Sequence, residues 1–244
     1  MTLQQIMSPI RRAIDDFNMI NDGDVIGVGL SGGKDSIALI SALAGLRRFY
    51  PKKFDIIAIR IDIGLDFDKE EENALAEYLK SLDVKYHIEK TEISKIVFDE
   101  RKESNPCSLC ANMRRGALNS TAKELGCNKV ALGHHGDDLV ETFFLSMLYE
   151  GRLSTFHPVT TLSRMDLTVI RPMIYMREKD VASFSKNKPI LHNPCPADKF
   201  TKREYVKTLL KDIRKEIPFS TDNALNALTN PDRTNLFDKP KKDN

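Results

Sequence analysis

Six consecutive residues of the chain carry the groups that bind a phosphate anion. They are Ser31, Gly32, Gly33, Lys34, Asp35 and Ser36. The glycines let the backbone approach a ligand closely, the serine hydroxyls can donate hydrogen bonds, and the lysine adds a positive charge. An apolar run at 25–30 is typical of a buried strand, and the run at 37–46 has helical periodicity. The turn therefore presents unpaired amides at a helix N-terminus, which is an anion site.

Three known motifs compete for this turn. A Walker A loop is excluded, because Asp35 stands where that motif requires Ser or Thr. A dinucleotide-binding G-x-G-x-x-G pattern matches, but its acidic residue at the end of the next strand is supplied only loosely by Asp62. A nucleophile elbow matches around Ser31, yet no HGGG-type oxyanion loop precedes it. The full string SGGKDS is more specific than either partial match, and a glycine-rich turn without a ligand would leave Lys34 unexplained.

Composition limits the class of protein. The 244 residues suit one α/β domain with a small appendage, and 41% hydrophobic residues suffice for a core. The net charge of +2 argues neither for nor against a nucleic acid. The sequence lacks an apolar run of about 18 residues and a signal-peptide pattern, so we expect a cytoplasmic protein without a membrane. Cysteines in a reducing compartment favour metal or redox chemistry over disulfides.

Strands and helices alternate along the chain. Apolar runs predict buried parallel strands at 25–30, 56–61, 84–88, 129–132 and 167–170. Helical patterns lie at 2–18, 37–48, 69–82, 109–125, 137–149, 200–215 and 221–229. This alternation predicts a doubly wound parallel five-stranded α/β sheet with helical N- and C-terminal additions. Ligands bind at the carboxyl ends of such strands, so the loops after the first four strands share one rim.

Four segments follow from this pattern. We predict an N-terminal helix in 1–20, a nucleotide-binding domain in 21–176, a helical extension carrying Cys195 in 177–230, and a disordered tail in 231–244. The N-terminal helix is a candidate surface for homodimerisation.

A second motif, GHHGDD, directly follows the fourth predicted strand. It begins at Gly133, a candidate nucleotide contact on the same rim as the phosphate loop. The carboxylates of Asp137 and Asp138 can hold Mg²⁺ through its waters, and Asp137 can equally cap the next helix. The adjacent histidines, His134 and His135, are poorly placed as joint metal ligands, because neighbouring side chains at a strand end diverge.

The third constellation consists of cysteines. Cys107 and Cys110 form a C-x-x-C pair at the start of a predicted helix, where thiolates are stabilised, and Cys195 lies far downstream. With His192 they would complete a Cys₃His zinc site, whereas three cysteines alone suggest a [4Fe–4S] cluster with one open iron. A persulfide carried by Cys107 or Cys110 would need no iron. Cys127 begins a strand and is predicted to lie in the core.

These motifs occur in a recognisable order. After SGGKDS come PCSLCANMRRGAL, KVALGHHGDDLVETFFLSMLY, VIRPMIYMREKD and NPC. From about residue 20 to 215 the chain resembles the tRNA 2-thiocytidine synthetase family, iron–sulfur-dependent ATP pyrophosphatases that thiolate a cytidine of the tRNA anticodon loop. The resemblance implies the PP-loop nucleotide-binding (adenine nucleotide alpha hydrolase-like) fold. It also implies the cofactors ATP and Mg²⁺, and a [4Fe–4S] cluster on Cys107, Cys110 and Cys195.

The resemblance also implies roles in a reaction. The C2 oxygen of the base attacks the α-phosphorus of ATP, and sulfur then displaces AMP. Lys34 stabilises the phosphates, Asp35 and Asp138 lie near Mg²⁺, and the adenine rests against residues 59–62, which include Asp62. Arg114 follows Cys110 by one helical turn and would face the same cavity, the alternative being an exposed helix charge. Sulfur would come from a cysteine desulfurase or from sulfide.

Alternatives remain for the substrate. The segment 61–65 resembles 2-thiouridine synthetases, although their zinc-finger cysteine pairs are absent, and residues 196–198 read PAD where a further cysteine is expected. A metal-independent ligase of the lysidine synthetase type would need no cysteine, and a non-catalytic ATP-binding or iron–sulfur sensor would release no pyrophosphate.

One predicted helix carries an evenly spaced basic ridge. Its members recur every four residues, at Lys199, Arg203, Lys207, Lys211 and Lys215. Such a ridge can follow tRNA phosphates, although Glu204 and Asp212 dilute it and an ordinary solvated face is the alternative.

Overall fold

The computed structural model describes residues 1–101, 106–195, 202–230 and 232. Contacts divide the chain into two compact units. The first comprises Met1–Gly136 and Phe156–Phe200, and the second comprises Asp137–Thr155 and Thr201–Asn244. The domain ranges predicted from the sequence stay a prediction. Most of the predicted tail, 231 and 233–244, lies outside the described residues.

The first unit is built on a six-stranded sheet. Its strands are β1 (Asp24–Gly29), β2 (Phe54–Asp62), β3 (Lys85–Lys90), β4 (Lys129–Ala131), β5 (Val159–Leu162) and β6 (Leu167–Ile170). The sheet order is β3-β2-β1-β4-β6-β5, and every pair is parallel except β5 with β6. The predicted α/β class with a parallel sheet is therefore confirmed.

The predicted count of five strands is wrong, because β5 adds an antiparallel edge strand. Its sequence, VTTL, is short and half polar, which suits an edge but leaves no apolar run to recognise. The turn into β6 is a 3₁₀ segment, Ser163–Met165, followed by Asp166 in the left-handed region. Aspartate tolerates that conformation, so the turn needs neither of the residues, glycine and proline, that usually mark a hairpin.

Within the described residues, five α-helices and a π-helical segment complete the first unit. The helices are α1 (Leu3–Asp16), α2 (Lys34–Arg47), α3 (Lys69–Ser81), α4 (Pro106–Glu124) and α6 (Glu178–Ser185), and the π-helical segment is Lys95–Arg101. A capping box of Thr2 and Gln5 begins α1, which buries Ile6, Ile10 and Ile14 along one face. The short helix α6 was not predicted from the sequence, because eight residues are too few to show a helical repeat of apolar residues.

Helix α4 packs closely on the sheet. Leu118 and Ala122 lie in one buried cluster with Val130 and with Cys127, which is 2% exposed as its predicted core position requires. A Cβ at Gly27 would lie 2.8 Å from Ile59 and 3.2 Å from Ala122. A side chain at Gly27, the first glycine of the G-x-G-x-x-G match, would crowd both residues, so packing accounts for this glycine without a dinucleotide.

The second unit is helical. It contains the rest of α5 (Gly136–Leu145), a π-helical turn Ser146–Glu150, α7 (Lys202–Glu216) and α8 (Ser220–Thr229). Its core is formed by Val140, Val206 and Leu210, against which residues of α5, α7 and α8 pack. Among the described residues, none of the helices combines the length and apolar character that a membrane crossing requires.

Candidate active site

The predicted phosphate loop connects β1 to α2 and is held in shape by its own side chains. Gly32 takes a φ of +82°, and Gly33 is the N-cap of α2. The Ser31 hydroxyl accepts a hydrogen bond from the Gly33 amide at 3.2 Å, and the Ser36 hydroxyl donates to the Gly33 carbonyl at 2.9 Å. The two hydroxyls also lie 3.2 Å apart. The serines therefore stabilise the loop itself, and the amides of the first turn of α2 remain the anion-binding groups.

Lys34 lies between two carboxylates. Its Nζ is 3.1 Å from Asp35 Oδ2 and 3.1 Å from Glu178 Oε1. Burial opposes the charge, but Asp35 and Glu178 outweigh it and raise the pKa of Lys34 above its ordinary value. The ammonium is thus fixed in its charged form at the helix start. Glu178 was missed from the sequence because it begins α6, which the sequence analysis did not detect.

Asp35 has one carboxylate oxygen without a hydrogen-bond partner. Its Oδ1 is buried and accepts no hydrogen bond from any part of the chain that the structure describes. The Nε2 atom of the His135 ring lies 3.7 Å from it, too far for a hydrogen bond. A buried oxygen of this kind requires an explanation, and an oxygen-preferring cation such as Mg²⁺ would satisfy it.

The loop after β4 touches the phosphate loop at Gly133. A Cβ on this residue would lie 3.1 Å from the carbonyl carbon of Asp35 and 3.2 Å from its oxygen. Glycine is therefore needed where the two loops meet. The structure brings these two predicted residues together, as expected for loops on one rim of a parallel sheet.

Asp62 is the last residue of β2, and its polar groups close the following turn. Its Oδ1 accepts a hydrogen bond from the Gly64 amide at 3.0 Å, and its carbonyl accepts from the Thr91 amide and hydroxyl, each at 2.8 Å. The predicted nucleotide contact at Asp62 stays a prediction.

In the second unit, the aspartates of α5 form ion pairs with α7. Asp137 Oδ1 lies 3.7 Å from Arg214, and Asp138 Oδ1 lies 3.6 Å from Arg203. Asp138 therefore has a cationic neighbour within its own unit, and its role beside Mg²⁺ stays a prediction.

Glu141, one turn further along α5, is a buried acid that the sequence analysis did not single out. It lies 3.0 Å from Arg203 and 3.8 Å from Lys207. Burial and the neighbouring Asp138 raise the pKa of Glu141 to about 7, against the opposing effect of the two cations. Its signal in the sequence was an acid that follows Asp137 and Asp138 by one helical turn.

These pairs bear on the predicted basic ridge of α7. Arg203 and Lys207 direct their charges at Glu141, and Lys215 pairs with Asp212 at 2.7 Å. Lys199 lies outside the described residues. Much of the ridge is therefore neutralised within its own unit.

The three cysteines predicted as ligands lie in the first unit and form no disulfide. Cys107 and Cys110 stand at the beginning of α4, and all three thiols are partly exposed. Burial raises the pKa of Cys110, the charges of Cys195 and Cys107 raise it further, and Arg114 lowers it. Cys107, Cys195 and Arg114 thus lie within electrostatic reach of Cys110, and the role of these residues as ligands stays a prediction.

The described residues contain no group of three or more His, Cys, Asp or Glu side chains arranged to hold a single metal ion. His192, the candidate fourth zinc ligand, instead turns its ring to Glu71. A [4Fe–4S] cluster attaches each thiolate to a different iron, so its thiolates stand further apart than ligands of one ion. The zinc site with His192 is therefore not formed in the described residues, and a [4Fe–4S] cluster on the three cysteines stays a prediction.

The segment leading to Cys195 is attached to the phosphate loop. The Leu191 amide donates to the Gly32 carbonyl at 2.9 Å, and the Leu191 side chain covers Gly32. The His192 amide donates to Glu71 Oε2 at 2.9 Å, and the His192 ring binds the other oxygen. These contacts fix the chain three residues before Cys195. Glu71 was missed, because within an acidic run at a helix start it is indistinguishable from its neighbours.

Comparisons with known proteins identify the family of the chain. Residues 4–211 match the model of the PP-loop domain family. A tRNA-cytidine(32) 2-sulfurtransferase of Ralstonia pickettii is 41% identical over 96% of this chain and 75% of its own length. One from Geobacter sulfurreducens is 38% identical over 96% of this chain and 93% of its own length.

A solved structure shares the fold. The U34-tRNA thiolase NcsA from Methanococcus maripaludis, determined with its [4Fe–4S] cluster, aligns with a TM-score of 0.74 at 22% identity. The alignment covers 92% of this chain and 76% of the thiolase.

Proposed function

The chain belongs to the tRNA-cytidine(32) 2-sulfurtransferase family within the PP-loop proteins, and from this premise we propose that it thiolates a cytidine of the tRNA anticodon loop through an adenylated base. It is an enzyme that transfers sulfur to tRNA. The proposal also includes the identity of the target base, the residues that bind ATP and Mg²⁺, and the three cysteines as cluster ligands.

One observation carries the proposal. The backbone of the phosphate loop binds the segment that carries Cys195, through the hydrogen bond from Leu191 to Gly32. Activation of a carbonyl oxygen by ATP and delivery of sulfur must occur at one carbon, so the two sets of groups must be held at a fixed separation. A glycine-rich turn without a ligand would not need this link.

The phosphate loop supplies the ATP site. The amides at the start of α2 and the charged Lys34 stabilise the phosphates, and the charge that develops on pyrophosphate as it leaves. Mg²⁺ or one of its waters would bind Oδ1 of Asp35, which accepts no hydrogen bond from the described residues. A second carboxylate at Asp138 and an adenine contact at Asp62 remain part of the proposal.

Cys107, Cys110 and Cys195 are the residues that would hold a [4Fe–4S] cluster. Such a cluster, when bound by three cysteines, supplies an iron with an open position for sulfur. Arg114 lies beside Cys110 and favours its thiolate form, which is the form that binds metal. The sulfur itself would come from a cysteine desulfurase or from sulfide, in the cytoplasm. Homodimerisation through α1 stays a prediction.

The test is analysis of tRNA nucleosides by mass spectrometry in a strain lacking the gene. We expect 2-thiocytidine to be lost and to return with the wild-type gene, but not with a Cys195→Ser or Lys34→Ala variant. A Cys127→Ser variant is the matched control, since that buried cysteine lies in the core and outside the site. Loss of a thiouridine instead would change the target base, and an unchanged thionucleoside profile would contradict the proposal.

A further inference from the structure

Arg171 follows β6 directly and lies at the carboxyl end of the sheet, where ligands of such sheets bind. One terminal nitrogen of its guanidinium donates to the His157 carbonyl at 2.6 Å and to the Thr160 hydroxyl at 3.1 Å. Its carbon lies 5.1 Å from the centre of the Phe156 ring. These contacts hold the guanidinium in one orientation by neutral groups alone.

In the described part of the chain, no carboxylate balances the charge of Arg171. Across residues 1–101, 106–195, 202–230 and 232, Arg171 forms no ion pair, and its Nε is buried without a hydrogen-bond partner. The charged group that influences it is another cation, Arg115 of α4. Burial and Arg115 lower the pKa of Arg171 to about 10. A half-buried guanidinium without an acid is unusual, because a buried charge is normally paired.

Arg115 lies within electrostatic reach of Arg171, and no acid ion-pairs with Arg171 in the described part of the chain, so the two arginines are a candidate site for an anion. The planar guanidinium matches the oxygens of a phosphate group, and a bound phosphate would remove the repulsion between the two cations. Thr160 orients Arg171, and Arg115 is exposed on α4, so a ligand can reach the pair from solvent.

The GHHGDD loop also approaches this position. The rings of His134 and Phe156 lie 5.0 Å apart, so Phe156 contacts both this loop and Arg171. In the sheet, β4 alone separates β6 from β1, which places Arg171 about 10 Å along the rim from the phosphate loop. At this distance, Arg171 cannot contact the phosphate that the loop itself binds. It can contact the backbone phosphate of a nucleotide whose base reaches the loop.

We propose that Arg171 and Arg115 form a second phosphate site, which binds a phosphodiester of the RNA substrate next to the target base. The proposal rests on the proposed function, because it takes the occupant to be RNA. The shared chemistry is a phosphate anion, and a phosphate of ATP is the alternative source.

The test measures binding of a fluorescent anticodon stem–loop RNA and, separately, of ATP. Arg115→Gln and Arg171→Gln should each weaken RNA binding about tenfold and reduce the slope of log Kd against log salt by about 1, with ATP affinity unchanged. Arg164→Gln is the matched control, since Arg164 is exposed in the turn before β6, at the opposite end of that strand. Arg171→Lys keeps the charge and should recover part of the affinity if Arg171→Gln folds poorly.

Each outcome separates the possibilities. Unchanged RNA affinity and salt slope in both variants, with a wild-type protein that thiolates the RNA, would overturn the phosphate site and leave the proposed function intact. A loss of ATP affinity instead would assign the site to the nucleotide and overturn the RNA assignment. If the wild-type protein thiolates no RNA, the proposed function fails. The site is then decided by whether inorganic phosphate raises the Tm of the wild type but not of Arg115→Gln.

Discussion

Replacing Gly32 by alanine tests the contact that joins the phosphate loop to the Cys195 segment. Gly32 has a φ of +82°, and an added Cβ would lie 2.6 Å from Leu191 Cγ and Cδ1 and 2.8 Å from its Cβ. Two effects therefore add. The left-handed conformation costs a residue with a Cβ about 1–2 kcal/mol, and overpacking a filled site costs about 1–3 kcal/mol.

Gly126→Ala separates these effects. Gly126 has a φ of +78° and nothing within 4 Å of an added Cβ. This variant should lose only the conformational part, about 1–2 kcal/mol of the free energy of unfolding. Gly32→Ala should lose about 2–5 kcal/mol in total. Urea denaturation followed by circular dichroism measures both variants under the same conditions.

A double-mutant cycle then identifies the partner. Leu191 is 4% exposed, so Leu191→Ala alone should cost about 2–5 kcal/mol. In the double variant with Gly32→Ala, the overlap with Cγ and Cδ1 disappears, so the combined loss should fall short of the sum by about 1 kcal/mol or more. Additive losses, or a loss at Gly32→Ala no larger than at Gly126→Ala, would refute the contact as described.

Three further substitutions have defined outcomes. Burial raises the pKa of Glu141 from 4.5 to about 7, so the folded state binds its proton more tightly and the free energy of unfolding should fall by up to about 3 kcal/mol as pH rises through that interval. In urea denaturation, Glu141→Gln should abolish this dependence of the unfolding free energy on pH, whereas the exposed control Glu216→Gln should keep it. The same pH dependence in both variants would contradict the prediction. Glu71→Gln should weaken iron retention about tenfold in chelator competition, with Glu70→Gln as control, and equal retention would show that the His192 contact does not position Cys195. Asp35→Asn should remove the effect of Mg²⁺ on ATP affinity measured by calorimetry, whereas a preserved effect would place the metal elsewhere.

The sequence predicts most of the sheet and the main loop, because both depend on local patterns. Buried parallel strands are continuous apolar runs, and SGGKDS joins one of them to a helix, so its place on the rim follows from topology. The link from Leu191 to Gly32 joins residues far apart in the chain, and nothing in the sequence distinguishes Leu191 from other leucines, so the link could not be predicted. Glu178 and Glu71 are likewise recognisable only when their partners, Lys34 and His192, are seen beside them.

The basic residues show what spacing alone does not reveal about a predicted RNA contact. Arg203 and Lys207 recur at the spacing of a phosphate-binding ridge, yet both lie within 4 Å of Glu141. A cation that already has a carboxylate partner must break that pair before it can bind a phosphate, so the gain in binding energy is reduced. Arg171 follows no regular spacing and forms no ion pair within the described part of the chain, so a phosphate that reaches it replaces nothing. The free energy available for binding RNA therefore depends on which cations lack an acid, and only the folded structure shows that.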